Sequence, residues 1–150
     1  MKKAQMEVLE NVAQRMCLEL EQEGRGKKLE EFLLWCVHGG PGTGKSKVLL
    51  LLKESFGKCG WQMGLEYQMA ALQAVMAEQL GGDTLHHACG IQWQQQTANN
   101  DPSLSQKQSK VAEHVLEWKW LIIDEISMVS SKLLAQIDLK CTKSNGKTTT

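Results

Sequence analysis

Gly39-Gly40-Pro41-Gly42-Thr43-Gly44-Lys45-Ser46 fills every fixed position of the pattern G-x-x-x-x-G-K-[ST]. Glycines let a chain curl tightly enough to turn successive main-chain N–H groups toward one anion. A helix that starts where the turn ends adds the positive end of its dipole. Lys45 would then set a point charge between the β- and γ-phosphates of a nucleoside triphosphate, and the Ser46 hydroxyl would ligate magnesium. The stretch predicts a phosphate-binding loop, with Gly39, Gly40, Pro41, Gly42, Thr43 and Gly44 as its main-chain cradle.

The flanks supply the context such a loop needs. Phe32-Leu33-Leu34-Trp35-Cys36-Val37-His38 is a short continuous apolar run, which predicts a buried parallel strand. Lys47 to Ser55 has helical composition and stops near Gly57 and Gly60. Upstream, Met6, Leu9, Val12, Ala13, Met16 and Leu20 recur at spacings of three and four, predicting an amphipathic helix over 4–22. A charged, Gly-containing link follows at 23–28. Downstream, 61–69 alternates imperfectly as a second strand would, and 70–80, rich in Ala, Leu, Gln and Met, predicts a helix ending at Gly81-Gly82. Residues 84–91 read as a loop or short turn, 92–109 as a polar surface excursion, and 111–116 as a short helix. Trp120-Leu121-Ile122-Ile123 is the most strand-like run, and 130–139 is again helical. Strands alternating with helices predict an α/β fold around a parallel sheet.

Composition narrows the class. Lys plus Arg equals Asp plus Glu at 17 each, so no global basic footprint points to nucleic acid, and such binding would rest on a local patch. The longest apolar run, 48–52, is far short of a membrane span, and the N-terminus lacks the apolar core of a signal peptide. An intracellular, soluble protein without a membrane partner is expected. Five widely spaced cysteines with no C-x-x-C predict reduced thiols rather than a disulfide framework. His86, His87 and Cys89 lie close together, but no second ligand pair stands at zinc-site spacing. Trp35 and Trp120, inside strand-like runs, are expected in the core, whereas Trp61, Trp93 and Trp118 are the candidates for surface aromatics.

Asp124-Glu125 closes the last apolar strand. Two carboxylates at such a strand end, downstream of a phosphate loop, have the form of a Walker B element. Asp124 would hold magnesium through water, and Glu125 would polarise the attacking water.

Three strings together carry a family resemblance: Gly39 to Ser46, then Gly81-Gly82-Asp83-Thr84-Leu85-His86-His87-Ala88-Cys89-Gly90-Ile91, then Asp124-Glu125-Ile126-Ser127-Met128. They resemble the PIF (petite integration frequency) family of ATP-dependent DNA helicases in superfamily one, whose Walker B motif reads D-E-I-S-M. The resemblance runs from about Gln5 to Leu139. It implies a P-loop NTPase of RecA-like fold with a three-layer parallel sheet, ATP and magnesium as cofactors, and single-stranded DNA as partner. It also implies that Gln5 reads the adenine and that Thr84 and His86 lie along the DNA strand. Met69 to Ala77 resembles the first strand-contacting motif but lacks the Thr-Gly often found there. Nuclear or mitochondrial residence, with repair, recombination and telomere roles, follows from the family alone.

The organisation expected is an N-terminal helix and linker at 1–30, part of a RecA-like lobe at 31–140, and a disordered tail at 141–150. Only Arg15 and Arg25 are arginines, and both precede the loop, so no second-lobe arginine finger is present. No Gln-bearing motif follows the Walker B strand either. The sequence therefore reads as a truncated, incomplete lobe, with an uncovered sheet edge, marginal stability and weak ATP binding. Two alternatives stay open: a non-motor P-loop ATPase or kinase, and a degenerate nucleotide-binding module.

Overall fold

The computed structural model describes residues 2–26, 33–91, 115 and 117–143, and the contacts divide the chain into two compact units, 1–55 and 56–150.

The first unit opens with helix α1 (Lys3–Gly24), whose apolar spacing buries Val12 and Met16. Helix α2 (Lys45–Lys58) starts on the lysine of the phosphate loop, two residues earlier than its composition suggests, and buries Val48 and Leu52. The strand expected at 32–38 does not form. Residues 33–38 are exposed coil, with Leu34 92% and Trp35 47% accessible, and Phe32 lies outside the described residues. A strand exists through its ladder, and among the described residues of this unit no second extended segment supplies one. Trp35 is therefore a surface residue and not a core one.

The second unit is built on three parallel strands, β1 (Tyr67–Ala71), β2 (Asp83–Thr84) and β3 (Trp120–Asp124), in the order β2-β1-β3. The α/β class with a parallel sheet is thus as expected. Strand β1 pairs along its whole length with β3, from Tyr67 opposite Trp120 to Ala71 opposite Asp124. On its other side Ala70 and Ala71 pair with Asp83 and Thr84. Being central, all five β1 residues are buried.

Both faces of the sheet are covered. Tyr67 and Trp120 lie in register on one face, where the Phe56 ring sits 4.7 Å from Tyr67, 5.6 Å from Trp120 and 5.5 Å from Trp61. Phe56 is fully buried, a burial worth about 2–3 kcal/mol. Trp61 is buried beneath the Lys119 ammonium rather than presented at the surface. On the opposite face Ala70, Leu121 and Ile123 join a core made by α4 (Leu85–Ala88), Cys89 and α5 (Ser131–Lys143) through Leu85, Ala88, Leu133 and Ile137. The Lys140 ammonium donates to Gly90 O at 2.9 Å and ties α5 to the end of α4.

Two boundaries differ from the sequence reading for local reasons. Strand β1 starts at Tyr67 instead of near Trp61 because the chain first turns: Gly64, at φ +88°, donates its N–H to Tyr67 O at 2.8 Å, and Glu66 accepts from the Gln62 N–H at 2.7 Å. Ala70 and Ala71 belong to β1, so helix α3 is Ala74–Leu80. Alanine favours helices, but here the main-chain ladders to β2 and β3 on either side hold both residues in the strand. The stop at Gly81-Gly82 is as expected. Gly81 is left-handed, and the Gly81 and Gly82 N–H groups return to Glu78 O and Ala77 O, a Schellman cap. The last helix continues through Cys141 to Lys143, where a tail was expected; residues 144–150 lie outside the described residues, as do 92–114.

Gly82 and Gly57 make opposite predictions. A Cβ at Gly82 would stand 2.1 Å from Met69 O, whereas one at Gly57 meets nothing within 4 Å. Gly82→Ala should lower stability by about 2–3 kcal/mol, and Gly57→Ala, inside α2, should raise it by roughly 0.5–1 kcal/mol, both read from urea midpoints. Burial, with the Cys141 thiol nearby and partly offset by Lys140, pushes Cys89 from 9.0 up to about 12. The folded state disfavours its thiolate, so this contribution is whole below pH 9.0 and is lost as pH climbs through about 12. Urea midpoints of the protein should fall more steeply across that alkaline window than those of Cys89→Ala.

Candidate nucleotide-binding site

The loop at 39–46 has the backbone its sequence implies. Gly42 and Gly44 sit at φ +69° and +82°, where any other residue is strained. Gly39 is needed for space, since a Cβ there would stand 2.9 Å from Thr43 Oγ1. Thr43 Oγ1 donates to Gly40 O at 2.8 Å, which closes the loop across its own width. Among the described residues no main-chain carbonyl takes a hydrogen bond from the N–H groups of Gly42, Thr43 and Gly44. These donors stand before the first turn of α2, whose first main-chain bond runs from Val48 N–H to Gly44 O at 3.3 Å. Such a row of unspent donors ahead of a helix start fits a phosphate group.

Lys45 is folded onto the loop. Its ammonium donates to Gly39 O at 2.8 Å and to Gly40 O at 3.2 Å. Ser46 is exposed at the start of α2. Gln5 approaches from α1 and donates its Nε2 to Thr43 O at 2.9 Å and to Gly44 O at 3.4 Å. The first unit thus brings together Gln5 and every loop residue singled out from the sequence.

The second unit places Thr84, His86, Asp124 and Glu125 around the carboxyl end of its sheet. Thr84 and Asp124 both lie opposite Ala71, one on each side of it. Two strand spacings put them about 10 Å apart across the carboxyl end of the sheet. Ligands of open α/β sheets gather at that end. Asp124 accepts the Glu125 N–H at 2.9 Å. Glu125 has φ 52° and ψ 47°, and among the described residues no other non-glycine has a positive φ. A left-handed glutamate costs about 1–2 kcal/mol, and it breaks the strand into the 3₁₀ turn Ile126–Met128 directly after the carboxylate pair.

Thr84 caps α4, its hydroxyl accepting from the His87 N–H at 3.3 Å. Asp83 fixes this corner by accepting from the Thr84 N–H at 2.7 Å and pairing with the His87 ring. His86 is half-buried in the same short helix. A shallow hollow beside Thr84 is lined by Ala74, Ala77, Glu78 and Gly82. The Asp83–His87 pair escaped the sequence reading; their spacing of four, on a segment read as loop, was the signal available. Among the described residues no three His, Cys, Asp or Glu side chains converge as a metal site. Trp118 is half-buried and donates its indole N–H to Gly64 O at 3.1 Å, while Trp93 lies outside the described residues.

A family profile described as an AAA domain matches residues 21–149. The chain belongs to the AAA domain family. This AAA domain is also similar to the ATP-dependent DNA helicase PIF1 of Trypanosoma brucei brucei, at 30% identity over 105 residues. The match covers 70% of this chain and 10% of that protein, so the chain spans about a tenth of its curated relative's length. The PIF resemblance read from the three strings is borne out by this match. No solved structure gives a significant match. Among the described residues no helix is long and apolar enough to cross a membrane.

The backbone at Glu125 predicts a conflict between stability and chemistry. Glu125→Gly should relieve the left-handed strain and raise stability by about 1 kcal/mol, measured by urea denaturation, while removing the carboxylate from the site.

Proposed function

We propose that this chain binds ATP with magnesium at 39–46 and serves as nucleotide-binding part of an ATP-dependent DNA helicase motor. The observation that carries the reading is the phosphate loop itself: left-handed Gly42 and Gly44, unspent N–H donors, and Lys45 and Ser46 opening α2. Lys45 would exchange its two carbonyl partners for phosphate oxygens, and the N–H groups of Gly42 to Gly44 would take the remaining ones. Ser46 would ligate magnesium, which would supply charge neutralisation on the β- and γ-phosphates when bound, and the family resemblance gives Asp124 the role of a water-mediated magnesium ligand. Glu125 would accept the proton of the attacking water. Thr84, at the same carboxyl end of the sheet as Asp124, and His86 in the helix that follows it would follow single-stranded DNA. The similarity to a PIF1 helicase supports the motor reading over a non-motor ATPase.

Three measurements test it. Lys45→Ala should weaken ATP binding by at least about tenfold, the worth of a charge-assisted hydrogen bond to phosphate, and equal affinity would sink the assignment. Glu125→Gln should keep ATP affinity within about twofold while hydrolysis falls about 100-fold. Single-stranded DNA should stimulate hydrolysis by the unaltered chain. Hydrolysis indifferent to DNA would instead mark a non-motor ATPase.

A further inference from the structure

Gln5 is engaged at both ends of its amide. Its Oε1 accepts from the Lys2 N–H at 2.9 Å, which caps the start of α1. Its Nε2 donates to Thr43 O at 2.9 Å and Gly44 O at 3.4 Å. These two carbonyls belong to consecutive peptide planes. In a trans peptide the C=O and the following N–H point in opposite directions. Holding Thr43 O and Gly44 O therefore aims the N–H groups of Gly44 and Lys45 away from Gln5, to the side where the phosphate donors stand. The approach is close: a Cβ on Gly44 would lie 2.4 Å from Gln5 Nε2 and would displace the amide, and the φ of +82° already calls for glycine there.

We propose that Gln5 is a positioning residue for the phosphate loop, orienting the Gly44 and Lys45 N–H groups toward polyphosphate whatever base it carries. This rests on the phosphate-loop reading above. It differs from the adenine-reading role that the sequence resemblance implies, because the amide acts on the loop carbonyls and its effect reaches the phosphates. Any chain of phosphates presenting the same oxygens, inorganic tripolyphosphate included, would feel its loss equally.

Two variants separate this role from plain helix capping. Gln5→Glu keeps an oxygen for the Lys2 N–H and a favourable charge in the first turn of α1, but cannot donate to the loop. Gln5→Met keeps length without charge and controls for repulsion between a carboxylate and phosphate. Titrations with ATP, GTP and tripolyphosphate, each with magnesium, should show all three weakened about fivefold in both variants, the worth of a neutral hydrogen bond, with the ATP-to-GTP ratio unchanged. In the ligand-free chain, NMR order parameters of the Gly42 and Gly44 amides should fall while the helical circular dichroism of Gln5→Glu is kept. Weakened ATP with unchanged GTP and tripolyphosphate would make Gln5 a base reader and overturn the proposal. Unchanged binding and order parameters would leave it a helix cap and overturn it too. Failure of the phosphate-loop reading would look different: tripolyphosphate would bind the unaltered chain and Lys45→Ala alike.

Discussion

The second unit depends on the main-chain ladder of β1. Its five residues are bonded to β3 along one side and to β2 at the end of the other, and that register sets Thr84 and Asp124 on either side of Ala71. A slip of one residue would turn Tyr67 and Trp120 away from Phe56 and drive Ala70, Leu121 and Ile123 out of the opposite core. The ladder tolerates no bulk where β2 arrives, since Gly82 already lies against Met69 O. Packing on both faces and polar groups at the carboxyl end of the sheet are therefore consequences of one pairing.

The first unit holds a row of main-chain donors ahead of α2. The Lys45 ammonium is hydrogen-bonded to two carbonyls of its own loop. Those bonds are weaker than bonds to phosphate, so the lysine is held near the loop and can still be drawn off it. Thr43 and Gln5 brace the loop from within and from α1. The glycines make the curl possible, and these three side chains select which curl is adopted.

Much of this was legible in the sequence because it is local. The loop, the helix beginning on Lys45, the Gly81-Gly82 stop and the final strand into Asp124 all follow from patterns a few residues long. What was not legible depends on partners distant in the chain. Ala70 and Ala71 looked helical because propensity says nothing of strands crowding from both sides. Trp61 looked free because the sequence does not announce that Phe56 and Lys119 meet it. Residues 33–38 looked like a buried strand because apolar runs report a preference for burial and not the presence of a ladder. For the candidate site, residue types and order singled out Lys45, Ser46, Asp124 and Glu125, but the engagement of Gln5 with loop carbonyls and the left-handed Glu125 are facts of three dimensions.

The exposed stretch from Leu33 to Val37 also governs how the protein behaves in company. Leu33, Leu34, Trp35 and Val37 offer water an apolar stretch of coil, with main-chain groups not committed to a ladder among the described residues. Such a stretch is adhesive toward other chains, chaperones and hydrophobic matrices alike. Colloidal behaviour, more than folding free energy, would then set the concentration at which the phosphate loop immediately downstream can be handled as a separate molecule.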